Sequence, residues 1–138
     1  MATPRSPLSL RFYRAAYQRM EEARILRTNR YYTGSIYLAG YAVECMLKTL
    51  ILECVPASKQ SKVLTEFRGQ RAHSFEWLRH RYLQLGAPPL SADIHASLLL
   101  VSTWETDLRY EPSFGNEETA TRFLAAVRDI MNWAKSRI

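Results

Sequence analysis

Four residues in the first half of the chain have types and spacing that could do chemistry together. Tyr37, Tyr41, Glu44 and Lys48 are separated by four, three and four residues, so a helix would carry all of them on one face. Two phenols, a carboxylate and an ammonium in one row can line a ligand cleft or an interface. They can also amount to a local Glu44–Lys48 pair, which on an exposed helix contributes only about 0.3–0.5 kcal/mol. The surrounding stretch from Ile36 to Leu52 is otherwise strongly apolar, so charge within it calls for a partner, and an Arg from another helix is the expected one. The segment Trp104-Glu105-Thr106-Asp107-Leu108-Arg109-Tyr110-Glu111-Pro112 crowds charged and aromatic groups together. Arg109 and Tyr110 there are the candidates to complete the cleft, although a helix end with solvated charges has the same composition.

A second constellation is Arg68 and His73, with four residues between them. An Arg can stabilise the charge that develops on a phosphorane. A His can move the proton from an attacking 2′-hydroxyl or to a leaving oxygen, so such a pair cleaves RNA without a metal. Fifteen of the nineteen basic residues are Arg, which makes such a spacing easy to reach by chance, and a basic loop before a helix reads the same way. Arg71, Arg79, His80 and Arg81 follow closely and could form a phosphate patch, with Glu76 offsetting some of their charge.

Other chemistries find little support. His73 and His80 would stand about 10 Å apart along a helix, too far to share a metal, and His95 has no Cys or paired carboxylate at ligand spacing. Neither a metal nor another cofactor is expected. Glycine-rich phosphate loops, Gly-x-Ser-x-Gly elbows and His-Glu-x-x-His motifs are absent from the sequence, which leaves nucleotide-hydrolase, esterase and zinc-protease readings without a basis. Cys45 and Cys54, nine residues apart on one expected helix, would be separated by about 13 Å, whereas a disulfide needs Cα atoms within about 7 Å. Two reduced, structural thiols are expected.

The elements that must position these groups read as helices. From Leu8 to about Asn29, Phe12, Ala16, Met20 and Ala23 recur at helical spacing. Thr33 is placed to cap a second helix that runs to about Cys54 and stops before Pro56. That helix is apolar nearly all round, so it belongs at the centre or against a second subunit. Residues 55–72 turn polar and read as a connecting loop holding at most a short helix near Ser61 to Phe67. A third helix is expected over Ser74 to Leu85, and a fourth begins at the capping Ser91 with the stripe Ile94, Leu98, Val101 and Leu108. Asn116 caps a last helix, whose acidic start at Glu117 and Glu118 and basic end at Lys135 and Arg137 suit the helix dipole. No strand-like alternation or repeat is present. The prediction is an all-α, up-and-down four-helix bundle with an additional short helix, formed as a single domain over residues 1–138 with a flexible N-terminus at 1–7.

Composition bounds the rest. A chain of 138 residues with 47% hydrophobic content can build one core but not two. The apolar stretch around Glu44 and Lys48 approaches spanning length, but each of those charges would cost about 2.5–3.5 kcal/mol at a bilayer centre, so a buried helix and no membrane partner are expected. Met1 to Pro7 leads into no apolar signal core, and a cytoplasmic location is the expectation. The net charge of +6 includes seven Arg within the first thirty residues. Turned through 100° per residue, they spread around the first helix instead of forming one stripe, which reads as a basic, solvated surface with phosphate-bearing partners as the alternative.

The run Tyr41-Ala42-Val43-Glu44-Cys45-Met46-Leu47-Lys48-Thr49-Leu50-Ile51, then His73 opening a helix that contains Leu78, then Arg109-Tyr110-Glu111-Pro112, resembles the prokaryotic HEPN family in order and separation. The resemblance is to the nucleotidyltransferase-associated type and spans about Leu8 to Ala134. It implies a four-to-five-helix bundle that usually dimerises, binds nucleotides or RNA, and often works beside a small nucleotidyltransferase in a toxin–antitoxin or stress-response pair. Ribonuclease members carry an Arg, four to six residues and then a His near the start of the final helix. Here the six residues after Arg109 contain no His, and Arg68 to His73 precedes the third helix instead. The leading expectation is therefore a homodimeric binding module using Tyr41, Glu44, Lys48, Arg109 and Tyr110 around a cleft. The alternatives are a metal-independent ribonuclease using Arg109 or Arg68 with His73, and a structural bundle whose charges fix a dimer register.

Overall fold

Four helices begin in the same way, on a short polar side chain that accepts a hydrogen bond from a backbone amide three residues on. Ser6 accepts from Ser9, Ser74 from Trp77, Ser91 from Ile94 and Asn116 from Thr119, each satisfying an amide that has no partner within its own helix. The computed structural model describes residues 3–138. It contains α1 (Pro7–Thr28), α2 (Tyr32–Glu53), α3 (Ala57–Leu64), α4 (Phe75–Gln84), α5 (Ala92–Leu100) and α6 (Glu117–Ser136), with 3-10 turns at Gln70–His73, Val101–Thr103 and Thr106–Tyr110. There is no strand among the described residues, and the fold is the expected all-α bundle.

The apolar second helix takes the central place its composition predicts. α1 lies along α2, α6 and α4 pack against other parts of it, and α5 rests on α6. Although Tyr32–Glu53 is long and apolar enough to cross a membrane, its most apolar stretch is 78% buried inside the fold. Ile36, Val43, Met46, Leu47, Leu50 and Ile51 form the core there, together with Leu78, Val127 and Ile130.

Four local expectations change. Thr33 does not cap α2. The helix starts at Tyr32 without a side-chain cap, because Arg30 turns the chain in the left-handed region at φ 66° and brings Tyr32 into the first turn. The Thr33 hydroxyl accepts instead from the amide of Gly115, 3.0 Å away, and so ties the start of α2 to the segment before α6. The short helix within 55–72 lies at Ala57–Leu64, earlier than expected, where Gln60 is buried and bonds both the Ser6 hydroxyl and the carbonyl of Leu52. In the N-terminal segment 1–7, residues 1 and 2 lie outside the described residues; Pro4 and Ser6 are buried, and the amide of Arg5 donates to Glu53 at 2.6 Å.

The fourth change matters most for the site. The helix expected from Ser91 through Leu108, which is α5, ends at Leu100, and the chain is extended at Trp104 and Glu105. The buried Trp104 indole explains the break: it donates Nε1–H to the carbonyl of Tyr37 at 3.0 Å and stacks on Phe75 with centroids 5.2 Å apart. It fits there because Gly40 has no side chain; a Cβ on Gly40 would overlap the indole ring. Burying this large ring with its polar atom satisfied outweighs one more helical turn. Gly40→Ala is accordingly expected to destabilise the protein by about 1–3 kcal/mol or more through overpacking, measured by urea unfolding, with a shift in tryptophan emission as Trp104 is displaced.

Candidate functional site

The face of α2 predicted from spacing exists, and its charges are buried. Glu44 is 4% and Lys48 6% exposed, and Lys48 Nζ donates to Glu44 Oε2 at 2.8 Å. The partner that completes the network is His73, whose Nδ1 lies 2.7 Å from Glu44 Oε1. An ionised carboxylate can only accept, so Nδ1 carries the proton and Nε2 is left for a ligand. The Lys48 ammonium also lies 5.3 Å from the centre of the Phe67 ring and 5.9 Å from that of Phe12, within cation–π range of both. The expected Arg does not enter: Arg109 is exposed and lies over the ring of Tyr110 at 4.8 Å, and the hydroxyls of Tyr110 and then Tyr37 raise its pKa.

Around this network the aromatic residues form a connected wall. The hydroxyls of Tyr37 and Tyr41 are 3.1 Å apart, and Tyr41 meets Trp104 edge-on at 5.0 Å and His73 at 6.4 Å. Burial first, and the bond to Tyr37 second, push the Tyr41 phenol well above its ordinary pKa, so it stays a neutral hydrogen-bonding group. Burial likewise pushes the Cys45 thiol up to about 11, with Glu44 adding to the shift. That makes it an inert thiol.

His73 opens onto a cleft of about 500 Å³ between the Gln70–His73 turn and the start of α4 on one side and α5 with residues 102–106 on the other. Phe75, Leu98 and Trp104 are its apolar lining, and Arg71, Arg79, His95 and Glu105 supply the polar groups. Arg71 lies over the Trp77 ring at 5.0 Å. Arg79 is held by Glu76, and Ser74 starts α4 at the cleft wall, where the helix dipole favours an anion.

The sequence-predicted residues thus divide. Tyr41, Glu44, Lys48 and His73 come together, whereas Arg68, Arg109 and Tyr110 are exposed and do not line the His73 cleft. Within the basic patch, Arg71 and Arg79 reach the cleft and His80 and Arg81 do not; Arg81 instead clamps Glu66 with two bonds of 2.7 and 3.0 Å, which holds the Glu66 carboxyl below its ordinary pKa. His95 and Trp104 as lining groups were missed. A cue for Trp104 was the small residue Gly40 on an otherwise bulky helix, whereas a lone His95 carried none.

Fold and site together define an all-α bundle with a buried carboxylate that orients a cleft histidine. The model of the HEPN domain family matches residues 9–137, nearly the whole chain, and the protein belongs to that family. HEPN domains are generally related to nucleotides or RNA and commonly dimerise. No curated protein and no solved structure matches the chain.

The burial of the network gives a stability test. Glu44→Ala strands the Lys48 ammonium and is expected to cost about 3–5 kcal/mol, whereas replacing both partners by apolar residues, Glu44→Leu with Lys48→Met, is expected to cost far less. Chemical denaturation of the three proteins compares the two outcomes. A loss below about 0.5 kcal/mol in Glu44→Ala would be that of a solvated pair.

Proposed function

We propose that the chain is a homodimeric nucleotide- or RNA-binding HEPN module that takes its ligand in the His73 cleft. In this reading it works in the cytoplasm beside a small nucleotidyltransferase in a toxin–antitoxin or stress-response pair. The observation that carries the reading is the arrangement of the cleft. An apolar, partly aromatic lining lies beside Arg71, Arg79 and a His73 whose ring is fixed by a buried carboxylate. The volume suits a small ligand or one nucleotide of a strand, the cations suit its phosphates, and the rings suit its base. A second copy has apolar surface to cover: Leu99 on the cleft wall is 60% exposed, and Leu100 and Phe114, which line one pocket elsewhere, are 41% and 42% exposed. Large apolar groups exposed together favour association.

A metal-independent ribonuclease is the second reading, and the Glu44–His73 bond supports it. A carboxylate on Nδ1 orients an imidazole so that Nε2 can exchange protons with a substrate hydroxyl. The cation beside that nitrogen would come from Arg71 or Arg79, which line the cleft, in place of Arg68 or Arg109.

Incubation of the purified protein with labelled single-stranded RNA in EDTA, followed by both anisotropy and gel analysis, separates the readings. Binding without cleavage, weakened about tenfold by removing Arg71 or Arg79 and reduced by salt, is the expected result. EDTA-resistant cleavage that disappears in His73→Ala would make the chain a ribonuclease. Absence of both binding and cleavage, with a monomer in sedimentation, would contradict the proposal.

A further inference from the structure

A second groove runs between α1 and α6 and shares no residue with the His73 cleft. The two helices present matching stripes to it: Tyr17, Met20, Arg24 and Arg27 from α1, and Thr121, Leu124, Arg128 and Met131 from α6. Both sets step by three, four and three residues, the spacing of one helical face. The groove has a volume of about 470 Å³, and Leu124 and Met131, both buried, form its base beside Met20.

Its charge is only partly compensated. Glu21 is the one carboxylate among the lining residues, and Arg24 occupies it at 3.1 Å. Among the described residues, neither Arg27 nor Arg128 has a carboxylate within salt-bridge distance. Among the described residues, Arg27 has only a long bond from Nη1 to the Thr121 hydroxyl, 3.4 Å, and its Nε–H is buried with no acceptor among them. A buried donor left unpaired costs free energy that an incoming acceptor would recover. Tyr17, whose phenol is pushed up to about 12 by burial and by Tyr13, stays neutral and would not repel an anion.

We propose that this groove is a second binding site, for a phosphate monoester carried on a flat, weakly polar group. The phosphate sits between the guanidinium groups of Arg27 and Arg128, whose forks supply more donors than a carboxylate can accept. The flat group lies on Met20, Leu124 and Met131, where methionine sulfur favours contact with an aromatic ring. The site stands apart from the ligand proposed for the His73 cleft.

Adenosine 5′-monophosphate, inorganic phosphate and adenosine, each titrated calorimetrically into the full chain, test this site. The monophosphate is expected to bind more tightly than either fragment, and Arg128→Ala is expected to weaken it about tenfold or more. Arg128 is exposed, so that variant should keep the melting temperature of the parent. Arg27→Lys, which retains charge but loses the fork, should weaken binding as well, and His73→Ala should leave it unchanged. The proposal is overturned if the monophosphate does not bind, if Arg128→Ala binds it as the parent does, or if binding disappears in His73→Ala. Inorganic phosphate binding as tightly as the monophosphate would overturn the part assigned to the apolar base.

Discussion

A carboxylate inside an apolar helix requires donors wherever it is buried, and Glu44 finds two, from Lys48 on its own helix and from His73 across the core. Removing these groups from water costs several kcal/mol per ion before any attraction is counted, so the arrangement is retained only with its geometry satisfied. The surrounding elements serve that geometry. Phe12 of α1 and Phe67 of the loop before the Gln70–His73 turn bring their rings to the Lys48 ammonium. His73 closes that turn, and its bond to Glu44 fixes where α4 begins.

The same constraint shapes the cleft. Because Nδ1 is committed to Glu44, the ring of His73 has one orientation and one free nitrogen. Phe75, two residues on, stacks against Trp104, and Trp104 in turn occupies the notch left by Gly40. A break in α5, a glycine in α2 and a buried carboxylate are therefore parts of one construction, in which local helical preference yields to the burial of a large indole and the satisfaction of polar atoms.

The elements that could be read from the sequence are those set by local rules. Ser74, Ser91 and Asn116 mark helix starts because a short acceptor at the N-cap works wherever the chain goes next, and the face of Tyr37, Tyr41, Glu44 and Lys48 follows from helical period alone. What could not be read depends on contacts distant in sequence. Thr33 has the composition of a cap, yet its hydroxyl is taken by Gly115, 82 residues away. Trp104 has a helical setting, and only its meeting with Gly40 ends the helix. Arg109 was the expected partner of Glu44, and that His73 takes its place follows only from the packing of α4 and the turn before it on α2. The Arg residues of α1 spread around their helix, and it is the packing of α6 against α1 that brings Arg24 and Arg27 into one groove with Arg128.

The most direct test of the account is a nuclear magnetic resonance titration of protein labelled at the histidine ring nitrogens with short single-stranded RNA. If Glu44 holds His73 so that Nε2 faces a ligand in the cleft, the His73 Nε2 signal moves progressively with RNA while Nδ1 keeps its proton. If RNA saturates the protein and the His73 ring signals do not move, the ligand binds elsewhere and the buried network serves only the fold.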